Sequence, residues 1–395
     1  MLKWKIYFFA LLVLLVTLTG CSSPDQLKEN EYIAKTDFPY MYRGSMYGTG
    51  VAFSDQGYYF LNGNYLYYMD RQGTNPVLLD NRPDNGCLKK ERGTNCNAYV
   101  SKRHKSQSVL LQFYKDYVYT IESTDDGSGR SGIYELVRRN PDGSKRKVMR
   151  SFSHGLMKEA AIHRGYFYYL VVDYNEGMRQ THQLLRLPLD KLSREPEIIY
   201  KKENEDVEGS GVFRMFVYGS QIYIDENTED RWRMLRYDLN DASVSAIWER
   251  NDGSHPIIQA IHGQNIYFSY RYLNADALWD WLDERSLKFY SSELDGNNIQ
   301  ETDIPSAPIF PALYTDDRYT YVHGDEIAIY KNDKLLQKVD VSIYPVTKSL
   351  TTGDERFMFL FFITDDLLNI HFLDKNEIES GTAKFKPLIE TPFEP

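Results

Sequence analysis

Eight histidines are scattered along the chain, at His104, His154, His163, His182, His255, His262, His323 and His371, and none makes HExxH or another ligand pair. His163, His262 and His323 each stand just before a repeated strand or inside its turn. Recurrence at one end of a repeat would gather them on one rim; their loose spacing favours solvated turn side chains instead. Carboxylates crowd loops such as "DENTED" and "STDDG". Asp225, Asn227 and Asp230 offer oxygen ligands of the kind calcium takes, but the twelve-residue loop pattern is absent, so surface acids are expected and no metal. The sequence contains no GxSxG and no Walker motif, and so implies no catalytic residues and no cofactor. In "NADALWDWLDERS", 274–286, Leu278, Trp281 and Leu282 fall at helical spacing. A short amphipathic helix capped by Asn274 or Asp276 is expected there. It turns Trp281 towards the body and Trp279 elsewhere, where it can stack on a sugar or a partner or be partly buried.

The first twenty residues are not part of a fold. Lys3 and Lys5 precede the apolar run "IYFFALLVLLVTL", which falls short of the roughly 20 residues of a comfortable span. The run ends in Leu18-Thr19-Gly20-Cys21, followed by the polar "SSPDQLKENE". This resembles the lipobox of bacterial lipoproteins. The resemblance implies cleavage before Cys21, a diacylglycerol on its thiol, and anchoring on the extracytoplasmic face of the cell membrane; the alternative is an ordinary cleaved signal. Residues 21–37 then read as a flexible tether and 38–395 as the folded body.

Removing residues 1–20 removes two of the 46 basic residues and none of the 56 acidic ones, taking the formal charge from −10 to −12. Such a body is repelled by nucleic acid and by anionic headgroups, so nucleic acid is not an expected partner. Attachment to the membrane must come from the acyl chains. Once Cys21 is set aside, Cys87 and Cys96 remain, in "NGCLKKERGTNC". Export favours a disulfide between them over free thiols, and closing so small a loop contributes about 3 kcal/mol in the chain-entropy model.

What would position these groups is a repeat. Aromatic residues are 14% of the chain, with 32 Tyr and 20 Phe, which suits pleated, half-buried surfaces. An aromatic strand, a short break, a second strand, a polar turn and a third apolar run recur from Gly57, Asp116, Gly165, Gly219, Gly263, Asp317 and Glu355. The irregular spacing, roughly 50 residues, is near that of propeller blades. The expectation is an all-β fold, a single β-propeller of about seven blades (six to eight), with a pair of β-sandwiches as the alternative. A strand such as Tyr65-Leu66-Tyr67-Tyr68-Met69 reads as an inner strand covered on both faces, and "NPDGSK" and "ELDGNN" as Asp-Gly reversals.

The units "LYYMDRQGTN", "IYELVRRNPDGSKRKV" and "LKFYSSELDGNN" resemble those of bacterial extracytoplasmic propellers related to the domain called DUF5050, and more distantly TolB-type and YWTD propellers. The last unit, "LLNIHFLDKNEIES", lacks the Asp-Gly turn. The resemblance implies a recognition scaffold and transfers no catalytic residue. The expected function is a non-enzymatic, membrane-anchored propeller that binds a protein or a cell-envelope component. The alternative is a carbohydrate-active or other hydrolytic enzyme using acids at the propeller mouth. A transporter solute-binding protein would need alternating βα units, which are not seen.

Overall fold

The structure is a computed structural model that describes residues 31–39, 50–62, 64–73, 75–80, 96–100, 110–125, 132–174, 180–203, 211–227, 231–252, 254–272, 288–305, 312–345, 349–364 and 367–392. These residues form seven four-stranded antiparallel sheets, each built from one contiguous stretch of chain. Blade 1 holds β1 (Val51–Phe53), β2 (Gly57–Asn62), β3 (Tyr65–Asp70) and β4 (Val77–Leu78). Blade 2 holds β5 (Leu111–Tyr114), β6 (Tyr117–Asp125), β7 (Gly132–Arg139) and β8 (Lys147–His154). Blade 3 holds β9 (Leu156–His163), β10 (Tyr166–Tyr174), β11 (Gln180–Pro188) and β12 (Glu197–Glu203). Blade 4 holds β13 (Gly211–Tyr218), β14 (Gln221–Asn227), β15 (Trp232–Asp238) and β16 (Val244–Arg250). Blade 5 holds β17 (Ser254–His262), β18 (Asn265–Tyr272), β19 (Phe289–Glu293) and β20 (Gln300–Glu301). Blade 6 holds β21 (Ala312–Thr315), β22 (Thr320–His323), β23 (Glu326–Lys331) and β24 (Lys334–Asp340). Blade 7 holds β25 (Ser349–Thr352), β26 (Phe357–Thr364), β27 (Leu367–Asp374) and β28 (Lys386–Pro392).

The first strand of each blade lies innermost. β1 meets β5, β5 meets β9, β9 meets β13, and β17 meets β21. Second strands are covered on both faces: every residue of β2 is buried, whereas β12 and β16 in the fourth position are mostly exposed. This corrects the strand expected to be inner. Tyr65–Asp70 is the third strand of its blade and is only half-buried, because it packs one strand further from the axis. The seven repeat starts all fall at the hairpin joining first and second strands. Each unit read from the sequence therefore begins one strand late and omits the innermost strand.

An innermost strand presents a row of unpaired backbone groups to the channel. Side chains from the preceding blade fill two of these places. Gln112 on β5 donates to the Ile162 carbonyl (2.7 Å) and accepts from its N–H (2.9 Å). Glu159 on β9 accepts from the Met215 N–H at 2.7 Å. The same blade-to-blade logic closes the ring. Among the described residues blade 7 shares no strand with blade 1. It packs Phe357, Phe359, Phe361 and Ile370 against Val51, Tyr58 and Phe60, with the Phe60 and Phe359 rings edge to face at 5.2 Å. Asp354, in the β25–β26 turn, accepts from Arg356 and Phe357 N–H through one oxygen, and from Tyr58 Oη (2.8 Å) and Arg71 (3.1 Å) through the other. Asp316 repeats the device one blade earlier, holding the buried Lys375 ammonium of blade 7 at 2.6 Å.

The Asp-Gly reversals are as expected. Gly143 and Gly296 lie at φ 81° and 83°, in the left-handed region open to glycine. A Cβ at Gly143 would also stand 2.4 Å from the Leu79 carbonyl oxygen, so that turn packs directly on blade 1. The helix expected at 274–286 lies outside the described residues. No helix among the described residues is long and apolar enough to cross a membrane.

Candidate functional site

In a meander of this kind the two rims differ. Hairpins between first and second strands define one rim, here the turn rim; connections between second and third strands, and between blades, leave from the opposite one, the connection rim. First hairpins are short, as at 54–56, 115–116, 164–165 and 263–264. The two longest connections, 79–110 and 273–288, both leave from the connection rim. Connections of that length carry recognition more readily than tight hairpins do.

At this rim, blades 3 to 5 bring polar side chains together. Asp225 and Glu226 end β14, Trp232 and Arg233 begin β15, and His255 begins β17. Asp225 and His255 are buried, and His255 Nε2 lies 2.9 Å from Asp225 Oδ1. A carboxylate only accepts, so Nε2 carries a proton. No partner for that buried Nδ1 is present among the described residues. The Trp232 ring stacks on the imidazole with centroids 3.4 Å apart and planes 16° apart, fixing its orientation. Arg233 Nε, across the hairpin, pairs with the fully buried Glu226 at 2.8 Å.

Deeper along the wall stand Lys158 and Glu159 on β9, with Arg214 on β13 opposite Asp225. Glu159 lies on the innermost strand of blade 3 and its carboxyl bonds the Met215 N–H on the innermost strand of blade 4, which places it beside the central channel. Burial pushes its carboxyl above the usual carboxylate range, against the pull of Arg214 and the Met215 N–H. Burial likewise lowers the Lys158 ammonium, with Glu159 opposing. The arrangement can offer a ligand an imidazole, an aromatic face and mixed charges. Among the described residues no group of three or more ligands gathers to hold a metal ion.

The residues singled out in the sequence are placed as follows. Cys21, Cys87, Trp279, Trp281, His104 and Asp230 lie outside the described residues, as do the side chains of His154 and Asn227. Cys96 is buried, in a cluster with Leu66, Leu79, Leu111 and Val118. Two expectations are corrected. Asp225 is no surface acid, being 4% exposed and engaged by His255. Nor are the turn histidines uniformly solvated or gathered on one rim. His163 is fully buried at the turn rim, His262 lies at that rim within 3.4 Å of Asp317, and His323 ends β22 at the opposite rim. Asp225 and His255 were not paired in the sequence reading. The available signal was "SHPIIQAIH" and "QIYIDEN", where polar residues continue an otherwise buried strand.

No family model matches the chain, and no curated protein matches it. Solved structures do. The chain is similar to a puromycin-hydrolyzing peptidase of Mycobacterium tuberculosis, with TM-score 0.52 and 10% identity over 92% of this chain and 56% of that one. It is similar to a prolyl endopeptidase at TM-score 0.51 and 10% identity, over 96% of this chain and 54% of that one. The β-propeller domain of the Trilobed protease from Pyrococcus furiosus aligns at TM-score 0.47 and 10% identity, over 71% of this chain and 84% of that one. The chain spans little more than half the length of the two peptidases. At such identity the likeness is one of fold, an all-β propeller.

Proposed function

We propose that the protein is an extracytoplasmic lipoprotein, anchored through Cys21, whose propeller is a non-enzymatic scaffold binding a protein or cell-envelope component at its connection rim. The observation that carries this reading is the asymmetry of the disc: the longest connections and the Asp225–His255–Trp232 constellation share one rim. The lipobox at Leu18–Cys21 supports the anchor, and export would favour pairing of Cys87 with Cys96. Crosslinking and co-purification from intact cells tests the scaffold. A specific partner is expected, and Trp232→Ala or His255→Ala should weaken its recovery. Recovery of none, with turnover on a substrate panel, contradicts the reading. The mass of the mature N-terminus tests the anchor; an unmodified cysteine there ends it.

A second reading, a hydrolase acting at the channel mouth, draws on Glu159, a channel-wall carboxyl held above its usual range as a general acid must be. The same group caps the Met215 N–H, a structural duty that accounts for its presence without chemistry. Fold likeness to peptidases adds little, since one fold hosts many functions.

A further inference from the structure

Residues 31–39 do not hang free of the propeller, although 31–37 were expected to belong to the tether. They form a strap on the turn rim. Asp37, with no exposed side-chain surface, takes Arg164 Nε at 2.7 Å and Nη2 at 3.0 Å, and its second oxygen also accepts from the Ile33 N–H. Arg164 donates again, from its backbone N–H to the Thr36 carbonyl (2.7 Å) and from Nη2 to the Glu31 carbonyl (2.6 Å). The Phe38 N–H donates to His163 Nδ1 at 2.9 Å, so Nε2 of that ring donates to the Gly219 carbonyl at 2.7 Å. The Tyr32 ring stacks on Tyr218 at 6.3 Å, and Tyr218 Oη reaches the Gly263 carbonyl. Blades 3, 4 and 5 are thus tied in. Burial above all, then the Asp37 carboxylate, raises the Tyr32 phenol, and Asp317 of blade 6 lies close enough to add to this. These contacts fall at the ends of the innermost strands β9, β13 and β17, so the strap lies over the inner part of the turn rim.

We infer that the strap fixes how the anchored protein is presented: turn rim towards the bilayer, connection rim away from it, so that the partner approaches from the side opposite the membrane. This rests on the lipid anchor proposed above. Reach decides it. Ten peptide steps join Cys21 to Glu31. Fully extended they span at most about 35 Å. A nine-residue strand such as Gln180–Pro188 makes the disc about 30 Å thick. Inverting it would route the tether from the strap around an edge about 20 Å from the axis and down that thickness, about 50 Å in all. The tether cannot cover that path. The connection rim is thereby held out of reach of the lipid headgroups.

The test uses the lipidated full chain on vesicles carrying an energy-accepting headgroup lipid. Lys334→Cys and Asp325→Cys each place a donor dye on blade 6, at the turn rim and the connection rim, at exposed positions near either end of β23. The chain without an introduced cysteine serves as blank. Greater energy transfer from position 334 than from 325 is expected, with the difference diminished when Asp37→Ala and Tyr32→Ala loosen the strap. Equal or reversed transfer on protein that floats with the vesicles overturns the orientation. Failure to float overturns the anchor, and the orientation with it.

Discussion

Acidification should unpick the strap through His163. The ring is fully buried between the Phe38 N–H and the Gly219 carbonyl, an arrangement that requires one protonated nitrogen and one bare one. Burial pushes its pKa from 6.5 down to about 4; the Asp37 carboxylate and the Gly219 carbonyl oppose that shift, and Arg164 adds to it. A histidine depressed in the fold contributes stability that is fully present above 6.5 and lost as the pH falls towards 4, because the unfolded chain takes up the proton first. The gap is worth about 3 kcal/mol. Carboxylates titrate in the same window, so the comparison must be with His163→Gln, which cannot titrate and keeps a donor and an acceptor. Urea unfolding at half-unit steps from pH 7 to pH 4 should show the parent losing about 3 kcal/mol more than the variant. Parallel curves would refute the assignment.

Ring closure, the channel wall, the cysteine pair and the fifth-blade insertion each give a further expectation. Phe359→Ala, at a fully buried ring between blades 7 and 1, should cost about 3–5 kcal/mol in urea unfolding, and a loss below 1 kcal/mol would mean that the blades close by other means. Glu159→Gln keeps the acceptor for the Met215 N–H and removes a carboxyl whose pKa is raised in the fold, so it should stabilise the protein above that pKa and not below. Glu159→Leu also leaves the N–H unpaired and should be about 1–3 kcal/mol less stable than Glu159→Gln at any pH; equal stability of the two variants would contradict this role. Alkylation under denaturing conditions should modify Cys87 and Cys96 only after reduction, and Cys96→Ser should cost about 3 kcal/mol. Trp279→Ala should leave the melting temperature nearly unchanged and weaken partner capture, whereas Trp281→Ala should lower stability by about 3 kcal/mol or more if that ring is buried; equal stability losses without a binding effect would make the insertion structural only.

The seven blades were legible because second strands are sandwiched between neighbouring blades, lose polar alternation and stand out as aromatic runs after a turn, as in "GYYFLN" and "FMFLFFIT". The innermost strands were not legible. Val51–Phe53, Ala312–Thr315 and Ser349–Thr352 are too short to show a period, so those blades were read from their second strands. Among the side chains, the turns beginning at Asp316 and Asp354 share the pattern Asp-x-Arg-aromatic, and that repetition was the missed signal for the contacts joining blades 6, 7 and 1. Asp225 and His255 come from adjacent blades, thirty positions apart, and meet only because β14 ends and β17 begins at the same rim. No local spacing encodes such a meeting.

The central claim, recognition through the connection rim, is tested most directly by site-specific photocrosslinking in intact cells. A photoreactive residue is placed at Asp325 on that rim in one strain and at Lys334 on the turn rim in another, both exposed. The account predicts a discrete crosslinked partner from position 325, absent from position 334 and lost with Trp232→Ala. The same partner captured equally from both positions, or from 334 alone, would contradict it.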